Sequence, residues 1–195
     1  MKHASSRELF AYWTGRRGSR PAPERSEIEP SAIRKALGDV FILAFDRPAG
    51  HPFRLAGTRV CALFGRELRG QSFLDLWDAE SRVALADLMA TVGDEMTGAV
   101  ASANARTAEG WAQGVELLVL PLRQRGEAQM RMIGVLAPFT VPFWLGSARL
   151  NGLTLGTVRH LDPALEDSPA ARLVPGAAVT TGQHGVFVVH NGGRR

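Results

Sequence analysis

Side chains that could do chemistry are few in this sequence and scattered along it. There is one cysteine, Cys61, and the five histidines show no metal-ligand spacing on a predicted helix. A lone cysteine can form neither an internal disulfide nor a cysteine-based zinc cage. Residues 70–74 lack the second glycine of a nucleophile elbow, and no dinucleotide-binding or Walker loop occurs. The sequence therefore predicts no catalytic residues, no metal site and a protein that is not an enzyme.

The residues best suited to binding a small molecule are apolar. Alternate positions from Ala99 to Ala105 are all alanine, so one face of a strand there would carry only small side chains. Such a face leaves room for a ligand, because pockets are mostly apolar with a few polar groups. Alternatively, a helix packs tightly on the alanines and fills the space. The predicted pocket consists of Cys61, Phe64, Trp77, Met89, Ala101 and Ala103.

Cys61 itself allows two interpretations. It would serve as a redox sensor if its thiol were exposed and its pKa lowered, for example by a helix N-terminus near Thr58 and by Arg59. Otherwise it is a small buried hydrophobic residue, which is the commoner fate of a free cysteine.

A second candidate site is apolar surface at the two ends of the predicted domain. Leu9, Tyr12 and Trp13 fall on one face of a predicted N-terminal helix, and this face either contacts a partner in a homodimer or folds back onto its own sheet. The apolar run of residues 139–145 is either the end of the last strand or an exposed patch that binds a partner.

The basic residues do not form a compact patch. Of the 23 basic residues only Lys2 and Lys35 are lysines, and the net charge is +4. The arginines are spread along the chain, whereas nucleic-acid binding needs them clustered. We interpret the basic, proline-rich loop of residues 16–25 as a solvated connector and do not expect a nucleic-acid partner.

Length and composition predict one compact domain. The chain has 195 residues, 45% of them hydrophobic and 22% charged, which is enough to build a core. Its longest apolar run, residues 133–145, is too short to span a membrane and contains Pro138 and Pro142. With one cysteine and no secretion signal, we expect a cytoplasmic protein without a membrane span.

Local patterns predict the helices. Ser5 and Glu8 have capping-box spacing for a short helix that ends near Gly15 and Gly18. Thr58 is placed to cap a short helix through Phe64. Asp78 is placed to cap a longer one, whose apolar stripe consists of Leu85, Met89, Val92 and Met96.

Period-two and short apolar runs predict strands over residues 40–45, 51–56, 99–106, 115–122 and 130–139, with a turn around Gly126. Strands joined by short turns form an antiparallel sheet, and the helices gathered between them must cover one of its faces. Residues 146–160 fit either a further strand or a helix. Residues 163–182 are predicted to be a tail, and residues 186–189 a docking strand.

One stretch carries a family resemblance. Residues 51–70 are HPFRLAGTRVCALFGRELRG, and Ile28-Glu29-Pro30 precedes them. The chain resembles the alphaproteobacterial variant of the PAS domain, formerly a domain of unknown function. The resemblance implies an α+β fold with a five-stranded antiparallel sheet and helices covering one face. It divides the chain into an N-terminal helix and loop (1–30), a PAS-like core (31–145) and a partly flexible C-terminal extension (146–195).

The resemblance also implies which cofactors to test. Flavin photosensors of the light-oxygen-voltage type have Asn-Cys-Arg around the reactive cysteine, whereas Cys61 lies between Val60 and Ala62, which argues against FMN. Haem-binding PAS domains usually use a histidine of the long helix, and residues 78–97 contain none, so haem held by His51 or another histidine is unsupported. The ligand is unknown.

Three functions are compatible with the resemblance. The first is a stand-alone bacterial PAS regulator that binds a small ligand, a signalling partner or both, since no output domain is recognisable in the chain. The second is a structural adaptor with a filled core. The third, less favoured, is a nucleic-acid-binding regulator using residues 16–25.

Overall fold

A six-stranded antiparallel sheet is the centre of the molecule. The computed structural model describes residues 1–124 and 130–161, and the strands lie in the order β2-β1-β5-β4-β3-β6. Neighbouring strands pair antiparallel throughout. The strands are β1 Val40–Ala44, β2 Phe53–Ala56, β3 Gly98–Thr107, β4 Ala112–Leu122, β5 Arg131–Pro138 and β6 Leu150–Leu161.

The number of strands corrects the prediction of five. β6 pairs with β3 from Gly98 opposite Leu161 to Thr107 opposite Leu150, and so extends the sheet beyond residue 145. Only Leu150, Leu153 and Leu161 of its twelve residues are buried, so the apolar alternation that marks a strand is weak here. This is why the sequence left residues 146–160 open between strand and helix.

Three α-helices flank the sheet: α1 Ala4–Arg17, α2 Thr58–Phe64 and α3 Ala79–Glu95. The cap predicted for α1 at Ser5 is wrong. His3 is the N-cap, and its Nδ1 accepts a hydrogen bond from the Ser5 N–H at 3.2 Å. The Ser5 hydroxyl instead donates to the Asp39 carboxylate. Gly18 ends α1 with a φ of 55°, as the sequence predicts.

Gly57, not Thr58, is the N-cap of α2. A Cβ at Gly57 would lie 2.3 Å from the Leu37 carbonyl oxygen, so only glycine allows α2 to start this close to the chain before β1. The predicted cap of α3 is confirmed, because Asp78 accepts from the Ser81 N–H at 2.8 Å. Met96, the last residue of the predicted stripe, lies just after the end of α3. Its backbone is left-handed, with a φ of 55°.

The sheet is covered on both faces. Buried residues of α2, of α3 and of the sheet face beneath them form one cluster, which we call the cap core. It includes Phe41, Leu43, Phe64, Leu85, Met89, Val92, Val115, Leu117, Val119, Met132 and Leu136. Buried residues of α1 and of the opposite sheet face form a second cluster, which we call the α1 core. It includes Leu9, Phe10, Trp13, Val40, Ile42, Leu118, Leu120, Leu122, Ile133 and Val135. Successive residues of β4 alternate between the two cores, as the pleat of a strand requires. The two cores are thus separated by one layer of backbone.

Gly134 in β5 allows the Phe41 ring to pack directly on the backbone of the sheet. A Cβ at Gly134 would lie 2.3 Å from the Phe41 ring and 2.3 Å from the Leu118 carbonyl oxygen. Glycine therefore lets Phe41 lie on the sheet surface, where it is fully buried.

Some predictions fall outside the described residues: the turn around Gly126, the tail of residues 163–182 and the docking strand of residues 186–189. Among residues 1–124 and 130–161, no helix is both long and apolar enough to cross a membrane.

Candidate functional site

The residues of the predicted ligand pocket meet in the cap core. Phe64, Trp77, Met89, Ala101 and Ala103 are each at most 4% exposed and belong to one cluster. Cys61 is half-buried and packs against the same cluster. The small face of β3 points inward, since all four alanines from Ala99 to Ala105 are buried there. The structure brings the predicted set together, while its ligand stays a prediction.

An aromatic cluster occupies one end of the cap core. The Phe73 ring stacks on Phe41 at a centroid distance of 5.3 Å and meets Phe53 edge-on at 5.7 Å. Trp77 meets Phe73 edge-on at 5.9 Å. Contacts of this kind stabilise a core beyond area burial alone. The aromatic end is close-packed, so a ligand would lie toward the alanines of β3.

Trp77 has an unmet hydrogen-bonding group. Its indole Nε1–H is buried and has no partner among the described residues. A buried donor without a partner costs about 1–3 kcal/mol, because the group has lost its water and gained nothing. A ligand with one hydrogen-bond acceptor would relieve this cost. The Trp77 N–H therefore places an unpaired hydrogen-bond donor in the apolar cap core.

The residue after Trp77 connects the cap core to β6. The Asp78 carboxylate caps α3 and also accepts from the Thr154 hydroxyl at 2.6 Å. The Asp78 N–H donates to the Leu153 carbonyl at 3.0 Å. Ser81, in the first turn of α3, accepts the Leu155 N–H on its hydroxyl at 2.7 Å. The start of α3 and the middle of β6 are thus held together by three hydrogen bonds that begin one residue from Trp77.

This α3–β6 junction, formed by Asp78, Ser81 and residues 153–155, keeps its carboxylate ionised. The hydrogen bond from Thr154, followed by those from Ser81, lowers the pKa of Asp78 below its ordinary value. The sequence predicted Asp78 only as a cap. Its partners on β6 lie about 76 positions away along the chain and left no local pattern.

The residues considered for cofactors are placed as follows. Burial raises the pKa of the Cys61 thiol, which is opposite to what a reactive cysteine needs, and its sulfur lies 3.9 Å from the Ala56 carbonyl. His51 is 1% exposed in the β1–β2 turn and stacks on Phe45 at 5.3 Å, with burial lowering its pKa. Neither residue fits an adduct cysteine or an open haem ligand.

Within the described ranges no group of three or more histidine, cysteine or acidic side chains is placed to hold a metal ion.

The predicted partner face of α1 is turned inward. Leu9 and Trp13 are fully buried in the α1 core, and the Trp13 Nε1–H donates to the Pro121 carbonyl at 2.8 Å. Tyr12 is half-buried, and its hydroxyl accepts from the Glu29 N–H and donates to the Glu27 carbonyl. Of the two alternatives from the sequence, the structure shows the packing of α1 on its own sheet. A homodimer that uses Leu9 and Trp13 would have to displace this packing.

An ion pair between the buried Asp39 and the partly exposed Arg59 lies at the N-terminus of α1, and it was not predicted from the sequence. Asp39 is 2% exposed and accepts from Arg59 Nε at 2.6 Å, from Arg59 Nη2 at 2.7 Å and from the Ser5 hydroxyl at 2.6 Å. The hydrogen bond to Asp39 raises the pKa of Arg59. The arginine of the 51–70 motif thus ties α2 to the start of β1 and to α1.

The basic loop is partly neutralised. Arg16 Nη2 lies 2.8 Å from Glu29, and Arg20 Nη1 lies 3.0 Å from Glu27. These acidic partners reduce the charge that the loop could offer to a phosphate backbone. The absence of a nucleic-acid partner stays a prediction.

Two solved structures are similar to part of this chain. Among solved structures, the chain is similar to an RNA-binding light-oxygen-voltage receptor, with 22% identity and a TM-score of 0.41, over 60% of this chain and 36% of that one. It is also similar to the PAS domain of an HTR-like protein from Haloarcula marismortui, with 20% identity and a TM-score of 0.35, over 55% of this chain and 90% of that one. The chain thus spans about a third of the receptor's length. No curated protein matches it.

The family is settled by sequence. The family model of the PAS domain matches residues 1–137, which is more than half of the chain and includes the 51–70 motif. The antiparallel sheet with its helical cover is the α+β layout that the resemblance implied. The prediction from the sequence is confirmed: the chain belongs to the PAS domain family.

Proposed function

We propose that this PAS domain is a bacterial, cytoplasmic signalling module in which a small ligand in the cap core changes how the protein contacts a partner. The observation that carries the proposal is the α3–β6 junction. Trp77 lies in the predicted pocket, and the next residue, Asp78, bonds both α3 and β6. A change in the position of Trp77 would therefore shift the start of α3 relative to the edge of the sheet.

The chemistry of the core defines the ligand class. Ala101, Ala103 and Met89 offer apolar contacts, and the Trp77 N–H offers one donor. The ligand is therefore a small, mainly apolar molecule with one hydrogen-bond acceptor. It would favour a conformer in which α3 lies slightly farther from the alanine face, and so shift the population toward that conformer.

The experiment tests the donor directly. Protein purified under gentle conditions is examined by absorbance and by mass spectrometry of released molecules, and its thermal stability is measured across a panel of apolar metabolites. A bound ligand raises the melting temperature by mass action. We expect Trp77→Phe to lose this stabilisation, because the ring stays apolar but the donor is gone.

Trp111→Phe is the matched control, since Trp111 lies outside the cap core and is 39% exposed. It should keep the full ligand response. No released molecule and no stabilisation in the panel would refute the ligand-binding proposal.

A structural adaptor is the second candidate, and the close-packed aromatic end of the cap core favours it. In that case the core is permanently filled and recognition takes place on the surface alone. Partner binding that is identical in the wild type and in Trp77→Phe, without a detectable ligand, would support the adaptor. The homodimer expected from the sequence stays a prediction.

A further inference from the structure

An exposed apolar patch lies beyond the end of β5. Phe143 is 84% exposed, Val141 74%, and Phe139 and Trp111 39% each. The Trp111 and Phe143 rings meet edge-on at a centroid distance of 4.9 Å, which joins the start of β4 to the segment after β5. We call Trp111, Phe139, Val141 and Phe143 the β5-end patch. Exposed aromatic clusters of this kind mark interaction sites on proteins.

A cavity adjoins the patch. Its volume is about 230 Å³, and Val141 forms part of its wall together with Leu63, Pro138 and Leu145. Its polar side is formed by His3, Ser5 and the Asp39–Arg59 ion pair. Both carboxylate oxygens of Asp39 are hydrogen-bonded. The cavity therefore offers a mostly apolar recess for one large side chain at the border of a flat aromatic surface, which is the arrangement of an anchor pocket.

The charges around the patch are mainly positive. Lys2 Nζ lies 5.8 Å from the centre of the Phe139 ring, and the Arg7 guanidinium bonds the Lys2 carbonyl. On the Trp111 side, Arg106 Nη1 donates to the Gly110 carbonyl at 3.3 Å. The exposed carboxylate of Glu109 is the acidic neighbour on this side, and a hydrogen bond from its own backbone N–H lowers its pKa.

The carboxylate of Glu116 contributes little to this surface. It is 4% exposed and accepts the N–H groups of Lys2 and His3. Among the described residues named here, Lys2, Arg7 and Arg106 thus supply three positive charges against the exposed carboxylate of Glu109. An isologous dimer would bring the cations of the two copies together, which is unfavourable.

We propose that the β5-end patch docks an acidic, amphipathic segment of a partner protein, with one large apolar side chain of the segment in the Val141 cavity. The inference rests on the proposed function in one respect, because it names the surface through which the module contacts its partner. The cavity is lined by residues of α1 and α2, and Trp77 is not among its lining residues, so ligand binding and docking can be measured with separate variants.

The test uses fluorescently labelled synthetic peptides of about 18 residues, long enough for several helical turns. The first has leucine and phenylalanine at helical spacing and glutamate elsewhere. The second replaces every glutamate with lysine, and the third replaces the apolar residues with serine. We expect the first peptide to bind more tightly than the other two, and its affinity to fall as salt rises.

Two valine variants locate the binding. Val141→Asp should weaken the binding of the acidic peptide by about tenfold or more, since it places a charge at the mouth of the cavity. Val83→Asp is the matched control, because Val83 is 65% exposed on α3, outside the patch. It should leave the affinity within about twofold, well below the tenfold effect of losing a central contact. Equal melting temperatures of the two variants would show that both are folded.

Equal binding of the lysine and glutamate peptides, or equal loss in both valine variants, would overturn the proposal. So would a wild-type dimer that Val141→Asp converts to a monomer, because the patch would then bind a second copy of the chain. If peptide binding fails while the ligand response of Trp77 persists, the docking inference falls and the proposed sensory function stands.

Discussion

Both faces of the sheet bury tryptophan, and Trp13 on one face differs from Trp77 on the other. In the α1 core, the Trp13 N–H donates to the Pro121 carbonyl at 2.8 Å, and nothing polar in that ring is left unmet. In the cap core, the Trp77 N–H has no partner within the described part of the chain. Both side chains are almost completely buried, at 0% and 2% exposure.

We call the side of the sheet that packs against α1 the fixed face, and the side that packs against α2 and α3 the responsive face. On the α1 side the edges are also closed by polar bonds: Glu116 accepts from Lys2 and His3, and Asp39 accepts from Ser5 and Arg59. These bonds favour one arrangement of α1, although the Thr14 hydroxyl of α1 is buried without a partner among the described residues. In the cap core, the unpaired Trp77 donor leaves a stabilising interaction still to be made. A regulatory domain needs both, since one face must hold still for the other to move against it.

The largest expected effect comes from removing the tryptophan of the fixed face. Trp13→Ala deletes a fully buried ring and its hydrogen bond, so we expect a loss of about 3–5 kcal/mol in the free energy of unfolding. Urea unfolding followed by circular dichroism measures it. A loss below about 1 kcal/mol would show that α1 is not firmly packed on the sheet.

A matched pair of substitutions sharpens the comparison. Trp13→Phe leaves the Pro121 carbonyl without its donor, which costs about 1–3 kcal/mol in addition to the lost volume. Trp77→Phe loses similar volume but removes a donor that had no partner. We therefore expect Trp13→Phe to be the more destabilising of the two in urea unfolding. The reverse order would contradict the assignment of the two faces.

The pH dependence of stability should originate on the fixed face. Burial favours a higher pKa for Glu116, but the N–H groups of Lys2 and His3 outweigh it, and the pKa lies below the usual value of 4.5. A carboxylate with a lowered pKa in the folded state stabilises the protein above pH 4.5, and this stability is lost as the pH falls through the folded-state pKa.

Urea midpoints measured from neutral to acidic pH should therefore fall more steeply for the wild type than for Glu116→Gln. Parallel curves for the two proteins would contradict this role of Glu116.

The smallest effect on global stability is expected at the α3–β6 junction. Asp78→Ala removes the cap of α3 and the partner of the Thr154 hydroxyl. Amide hydrogen exchange should become faster at Ser81 and in residues 153–155, while the amides of α1 stay protected. Asp75→Ala is the control, because Asp75 is exposed and its nearest cation, Arg82, lies 3.6 Å away. Unchanged amide exchange in residues 153–155 of the Asp78→Ala variant would show that Asp78 does not stabilise β6.

Features set by neighbouring residues could be predicted from the sequence. The Asp78 cap and the buried stripe of Leu85, Met89 and Val92 both depend on residues within a few positions. The pocket set also came together, because its members lie on elements whose inward faces were evident from period and residue size.

Features that depend on distant partners could not be predicted. Asp39 is bonded by residues 20 and 34 positions away, so its burial left no local pattern. β6 shows too few apolar residues to reveal a strand, since its pairing with β3 supplies the stability. The cap of α1 was misplaced by two residues because Ser5 has the right side chain, but that side chain is used by Asp39.

The inward row of Ala99, Ala101, Ala103 and Ala105 has a consequence for engineering. An alanine side chain is a single methyl, so α3 rests on β3 with almost the thinnest spacer that side chains provide. Valine or leucine introduced one position at a time would raise the helix in graded steps. Such a series would hold α3 at graded distances from β3 and would imitate the proposed ligand-bound conformer without a ligand.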